Sequence, residues 1–280
     1  MKRLLTAALA LVLGASAYVA STPGPAIAAR PGAIFSCQAT GQEEAVDPIV
    51  SPGVSPSAHL HVFFGAGPVS STETSATLRT KATHCVETGN HSAFWTPAVY
   101  ENGVKLRPGT TATGGGKHAL LYYRCVTSPC SAVQTPPENM GLVEGNSHAT
   151  TPAENPVFRN GLGGFRCGTG GGEFYPTPPT TCASGVLVLS STFSPCVNDA
   201  NVTAEPSAGK CPAGFIPIPR IQQYFRFWVG TGAVGTITLA SGAPVTLHTD
   251  YLFGWDRATF ENFLDRCIRV NVDCGTNPNV

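Results

Sequence analysis

Ten cysteines constrain this chain more than any other feature, and all ten lie beyond residue 36. An even number of cysteines in an exported chain reads as a disulfide framework. Export is read from the first residues. Lys2 and Arg3 precede an apolar run over residues 4–13, and small residues lead on to Pro25-Ala26-Ile27-Ala28-Ala29. A basic head, an apolar middle and an Ala-x-Ala-type cleavage site are the marks of a secretory signal peptide, here residues 1–29. The apolar run falls short of the roughly 20 residues that a spanning helix needs. No later stretch is long and apolar enough to cross a bilayer. Residues 30–280 are therefore expected to be a single secreted β domain.

Spacing suggests how the cysteines pair, although it does not fix connectivity. Cys125 and Cys130 bracket a Ser-Pro turn, and Cys167 and Cys182 bracket a Gly/Pro-rich loop. Cys196 with Cys211 and Cys267 with Cys274 are also local, leaving Cys37 for Cys85. A zinc site is the alternative, but the chain has no Cys-x-x-Cys pair, and export favours bridges.

The 31 glycines and 24 prolines predict many turns and long ordered loops rather than long helices. Candidate strands cover 59–64, 93–100, 118–125, 185–193, 220–229, 236–240 and 245–252. Short strands between turn signals predict a mainly β protein, a β-sandwich or jelly-roll-like fold. The segments 128–158 and 160–184 read as long loops, and loops of that length inside a compact domain tend to be functional. One helix is expected at the C-terminal end. Asp256 caps it, and Phe260, Phe263, Leu264, Cys267 and Ile268 fall on one face of residues 257–269.

The charge balance excludes some partners. Lys and Arg number 17, as do Asp and Glu. Without Lys2 and Arg3 the remainder carries 15 basic and 17 acidic residues. A nearly neutral chain offers no electrostatic attraction for nucleic acid or an anionic membrane.

The chemistry concentrates in two segments. "SAHLHVFFG", Ser57 to Gly65, carries two of the seven histidines two residues apart. On a strand, His59 and His61 share one face while Leu60, Val62 and Phe64 take the other. "HTDYLFGWD", His248 to Asp256, likewise places His248 and Asp250 on one face. If the strands are neighbours, these four groups converge, with Asp47 nearby.

Three readings of them stand side by side. In the first, His59, His61 and His248 ligate a divalent metal ion, the one cofactor these residues suggest. In the second, an imidazole works as general acid or base while Asp250 or Asp47 fixes its tautomer. In the third, the histidines are buried and hydrogen-bonded, holding the neighbouring loop. His84, His118 and His148 read as solvated or capping loop residues. His91, near Trp95, is a somewhat better candidate.

Aromatic residues suggest a sugar ligand. Trp95 and Tyr100 could stack on rings. In the alternating run 220–229, Gln222, Tyr224, Arg226 and Trp228 share a face whose groups suit a polar, ring-shaped ligand. No Gly-x-Ser-x-Gly elbow is present, and the cysteines are expected to be bridged, so nucleophilic catalysis has little support.

The ordered motifs "DPIVSPG" (Asp47 to Gly53), "SAHLHVFFG", "FWTPAVY" (Phe94 to Tyr100), "CPAGFIPIPRI" (Cys211 to Ile221) and "HTDYLFGWD" carry a resemblance. The chain resembles the secreted family known as domain of unknown function 1996, found in fungi and actinobacteria and often next to carbohydrate-binding wall modules. The resemblance implies that Asp47, His59, His61, Trp95, His248, Asp250 and Asp256 are signature positions. It also marks departures. Asn90-His91-Ser92 stands where the family usually has Asp-Lys-Ser, and Phe253 where it often has Asn. Val197-Asn198-Asp199 stands where Trp-Asp-Gly is common. A difference in substrate or a loss of activity is the expected consequence if the Asp-Lys pair or that Trp binds substrate in the family.

The function expected from these observations is a secreted enzyme acting on a polysaccharide or cell-wall glycan by hydrolysis or elimination. His59, His61, His248 and Asp250 would supply the catalytic groups. Asp47, Trp95, Tyr100, Tyr224, Arg226, Trp228 and Asp256 would contact substrate. The alternatives are a non-catalytic wall-glycan-binding module and a metal-binding protein built on His59, His61 and His248.

Overall fold

The computed structural model describes residues 31–280, so the signal-peptide reading of residues 1–29 lies outside the described residues. All ten cysteines are bridged: Cys37–Cys85, Cys125–Cys130, Cys167–Cys182, Cys196–Cys211 and Cys267–Cys274. These are the pairs that spacing suggested.

Two sheets face each other in a β-sandwich. In the six-stranded sheet the order is Asp273–Thr276, Gly32–Cys37, Ala119–Arg124, Arg220–Trp228, Val186–Thr192 and Gly164–Cys167. In the five-stranded sheet it is Ala39–Glu44, His61–Gly65, Ala93–Pro97, His248–Leu252 and Gly141–Gly145. Neighbouring strands run antiparallel, except that Asp273–Thr276 lies parallel to Gly32–Cys37.

Strand alternation builds the core. Val62, Phe64, Phe94, Leu142 and Tyr251 point inward from the five-stranded sheet. They meet Phe35, Leu121, Leu189, Phe225 and Phe227 from the other. Phe64 and Phe225 touch across the interface with ring centroids 4.8 Å apart. Burying each such side chain contributes about 1.5–3 kcal/mol. Buried hydroxyls cross the same layer. Tyr251 bonds Tyr123 at 3.1 Å and Ser92 at 2.9 Å, and the Trp255 indole donates to Tyr123 at 3.2 Å.

The expected helix forms over Arg257–Phe263 and continues as a π-helical turn over Leu264–Ile268. Asp256 caps it, accepting from the Thr259 amide at 2.8 Å. All five residues of the expected apolar face are buried, and the Cys267–Cys274 bridge ties down the end.

Several strands are shorter than expected. Proline divides the expected strand 93–100, because Pro97 has no N–H to extend the ladder. It becomes Ala93–Pro97 and Val99–Glu101. The expected strand 245–252 opens with the 3-10 turn Pro244–Thr246 and becomes extended only at His248. The strands Gly141–Gly145 and Gly164–Cys167 arise inside segments that read as loops. Both are short and begin or end in glycine, so they carry little alternation of their own.

Candidate metal centre

The outer face of the five-stranded sheet is not open to solvent along its length. The segments 45–58 and 66–80, on either side of the strand His61–Gly65, fold over it, and their Val46, Val69 and Leu78 join Phe63, Trp95 and Leu252 in a second apolar cluster. At one end of this cluster the apolar packing gives way to histidines and aspartates. Asp47 turns the covering segment there. Its Oδ1 accepts from the amides of Ile49 at 3.0 Å and Val50 at 2.9 Å.

His61 opens its strand opposite Pro97 and Glu44. His59 precedes the strand on the same side, with its ring centroid 4.5 Å from that of His61. His248 opens its own strand, paired with Gly145, and Asp250 follows two residues later, paired with Trp95 and Val143. Gly145 has φ +120, and a Cβ there would lie 2.5 Å from the Leu247 carbonyl oxygen. Only glycine permits that approach.

Ligand atoms of His59, His61 and His248 all lie within 4.8 Å of one another, and so do those of Asp47, His61 and Asp250. His61 belongs to both groups. The convergence expected of the two segments is therefore present.

Backbone carbonyls fix the tautomers of two of the rings. His61 Nδ1 donates to the Val46 carbonyl at 2.9 Å, and His248 Nδ1 donates to the Thr246 carbonyl at 2.9 Å. A carbonyl can only accept, so each Nδ1 carries the hydrogen and each neutral ring presents a lone pair at Nε2. The His248 lone pair lies 2.9 Å from His59 Nε2. That of His61 is buried with no hydrogen-bond partner. Carbonyls that hold Nδ1 and aim Nε2 are the usual outer support of a metal-ligating histidine.

Asp250 is fully buried, and neither carboxylate oxygen has a partner. An unpartnered buried carboxylate is costly unless it is protonated or faces a cation. Burial raises its pKa well above the ordinary value, and Asp47 adds to the shift. Burial also raises Asp47, against the two amide bonds that lower it. Burial lowers His61 to about 3, with help from the charges of His59 and His248, while its bond to Val46 works the other way. His248 falls to about 4, again chiefly through burial. Burial and then His148 lower His59. At neutral pH all three rings are neutral, which is the ligating form.

A cavity of about 350 Å³ opens onto these groups, with Asp47, His59, His61 and His248 in its wall. Ser51, Ser57, Asn146, Ser147 and His148 supply the rest of its polar lining. His148 read as a solvated loop residue in the sequence, and no pattern around it signals otherwise. Only the fold brings it near His59 and His248, where its charge opposes theirs.

The other expected substrate contacts lie elsewhere. Trp95 is fully buried in the cluster under the segments 45–58 and 66–80, so no sugar ring reaches its face. Tyr100 belongs to a small separate sheet with Val104–Lys105 and Ile237–Leu239. Asp256 is engaged in capping the helix. Tyr224, Arg226 and Trp228 point outward from the six-stranded sheet, on the opposite side of the sandwich from the histidines. Of the expected substrate contacts, Tyr224, Arg226 and Trp228 therefore lie on a different face from the histidine cluster. The alternation that puts Phe225 and Phe227 into the core turns their neighbours away from it.

No curated protein and no solved structure matches the chain. A family model does match, over residues 47–255, a span that begins at Asp47 and contains every histidine and aspartate of the cluster. By that match the chain belongs to the family described as a domain of unknown function, DUF1996.

Proposed function

We propose that this chain is an exported metalloprotein in which His59, His61 and His248 hold a divalent transition-metal ion through Nε2. Asp47 and Asp250 form an adjoining group about the shared His61. One observation carries the reading: two buried imidazoles are locked by backbone carbonyls with their lone pairs inward, beside a buried carboxylate that has no other partner. Three imidazoles and two carboxylates, with no thiolate, suit zinc, manganese, iron, nickel or copper(II) rather than a soft ion. Two carboxylates would also balance a divalent charge.

The metal reading displaces bare acid–base catalysis by His61 and His248. With pKa values of about 3 and 4, neither ring is a useful proton donor near neutral pH. A bound ion would supply Lewis acidity beside the cavity. His59, half-buried, is the ligand nearest solvent, and the exposed His148 stands in the cavity wall beside it.

The substrate class we favour is a polysaccharide or cell-wall glycan, cleaved by hydrolysis or elimination. Hydroxyl and amide groups dominate the polar lining beyond the ligand cluster, and no Lys or Arg is present in it. Such a wall suits a neutral polyhydroxylated ligand. The test is metal analysis of protein purified without a nickel column, followed by incubation of the loaded protein with a panel of polysaccharides. Bound metal together with chelator-sensitive product formation is expected. A metal-free protein unaffected by chelators rejects the centre. Glycan retention without product, in wild type and His59→Ala alike, replaces the enzyme with a binding module.

A further inference from the structure

The outer face of the six-stranded sheet holds two buried arginines that form no ion pair among the described residues. Arg166 and Arg226 stand on the strands either side of Val186–Thr192, and both are in register with Val188. They therefore share a face, and each is more than nine-tenths buried, at 8% and 7% exposed. Arg166 donates from Nη1 to the Gly172 carbonyl at 3.1 Å. Its Nε is unpartnered, as is that of Arg226, whose guanidinium makes no hydrogen bond to a described residue. Neither forms an ion pair among the described residues. Glu173, on the loop beside Arg166, accepts from the Tyr175 hydroxyl at 3.4 Å instead.

Burial lowers the pKa of Arg226, with the like charge of Arg166 adding to the effect and Tyr122 opposing it. Two buried cations that repel each other are a standing cost to the fold. Aromatic rings surround them. The Arg166 guanidinium carbon lies 4.5 Å from the Phe174 ring centroid and 5.5 Å from that of Tyr224. Tyr224 packs on Tyr122 at 4.7 Å. Tyr122, Tyr224 and Trp228 are all half-buried, so each keeps part of a ring exposed. A cavity of about 630 Å³ has Arg166 and Glu173 in its wall, and the three rings and Arg226 lie outside that wall.

Planar guanidinium forks match carboxylates, and exposed aromatic faces match the apolar side of a sugar ring. We propose that this face is a second, non-catalytic binding site for an acidic glycan. Arg166 and Arg226 take the carboxylate of a uronic acid residue, and Tyr122, Tyr224 and Trp228 pack against its ring. The site is independent of the metal centre, which lies on the other side of the sandwich.

The experiment measures binding of the full chain to polygalacturonate, to the same polymer fully methyl-esterified, and to heparin, at low and physiological ionic strength. Binding to the acid form is expected, with at least a tenfold loss on esterification and weakening by salt. Arg226→Met is expected to abolish binding while raising Tm, because it removes an unbalanced buried charge. A purely structural arginine would lower Tm instead. Trp228→Ala, at the half-exposed end of the row, is expected to weaken binding at least fivefold with the fold intact. Equal binding of the esterified polymer, wild-type affinity in Arg226→Met, or no binding to polygalacturonate overturns the proposal. Preference for heparin with the same arginine dependence also overturns it, by assigning the face to a sulfate ester.

Discussion

His59 Nε2 stands 2.9 Å from His248 Nε2 although 189 residues separate them in the chain. Thr246 holds the far nitrogen of the His248 ring, so the pair has one hydrogen between two facing nitrogens. That spacing is close to the ~3.3 Å separating neighbouring ligands around an ion with metal–nitrogen bonds of about 2.0–2.1 Å. Near-stoichiometric divalent metal is expected in protein made without a nickel column. His61→Ala and His248→Ala should bring the metal to background by elemental analysis. Asp250→Asn should weaken retention about 10-fold or more. Chelation should lower Tm, since an ion that binds only the folded chain stabilises it.

The metal-free protein should be acid-sensitive over a particular window. His61 and His248 titrate near 3 and 4 in the folded chain, against 6.5 for an unperturbed histidine. As pH falls below 6.5 the unfolded chain takes up protons that the folded chain refuses, so stability is lost progressively down to pH 3–4. Denaturant midpoints of the chelated protein at pH 7, 6, 5 and 4 test this. His61→Phe should flatten the decline. An unchanged slope in that variant would falsify the assignment of the sensitivity to His61.

Glu144 gives the opposite dependence. Burial raises its pKa from 4.5 to about 7, with Glu205 adding to the shift while Arg159 and Arg220 oppose it. Between those values the folded chain keeps a proton that the unfolded chain has lost. Stability therefore falls as pH rises from 4.5 through 7 and then levels off. Glu144→Gln is expected to be the more stable protein at pH 8 and to show little advantage at pH 4.5. Urea midpoints at the two pH values decide it.

The disulfides should contribute unequally. Cys37–Cys85 closes a separation of 48 residues, whereas Cys125–Cys130 closes only 5. Chain entropy then assigns about 4 kcal/mol to the first and about 2 kcal/mol to the second. Paired Cys→Ser variants, compared by denaturant unfolding, should preserve that order.

Asp256 should matter to the helix and not to the metal. Asp256→Ala is expected to cost about 1 kcal/mol through the lost cap. Metal content and glycan binding should be unchanged, and a variant of wild-type stability that had lost metal would contradict the capping role.

Parts of this protein are legible in the linear order of residues. Spacing suggested four of the five cysteine pairs, which close within 15 residues of chain, and left Cys37 and Cys85 for the fifth. The C-terminal helix follows from the 3.6-residue period of Phe260, Phe263, Leu264, Cys267 and Ile268 and from the aspartate before it. The shared face of His248 with Asp250 follows from the two-residue period of a strand, whereas His59 lies just before the strand His61–Gly65 and reaches the same side from the preceding loop. All of these depend on local geometry, which the sequence determines directly.

The neighbourhood of those faces was decided only by the tertiary structure. Alternation states that two side chains point the same way, but not which sheet they belong to or what covers them. Trp95 was buried by the segments folded over it. Tyr224, Arg226 and Trp228 were carried to the opposite side because their strand joined the other sheet. His148 became part of the cavity wall only when the Gly141–Gly145 strand paired with His248–Leu252. Strand pairing between distant segments depends on the fit of the whole core, and no local pattern in the chain encodes that fit.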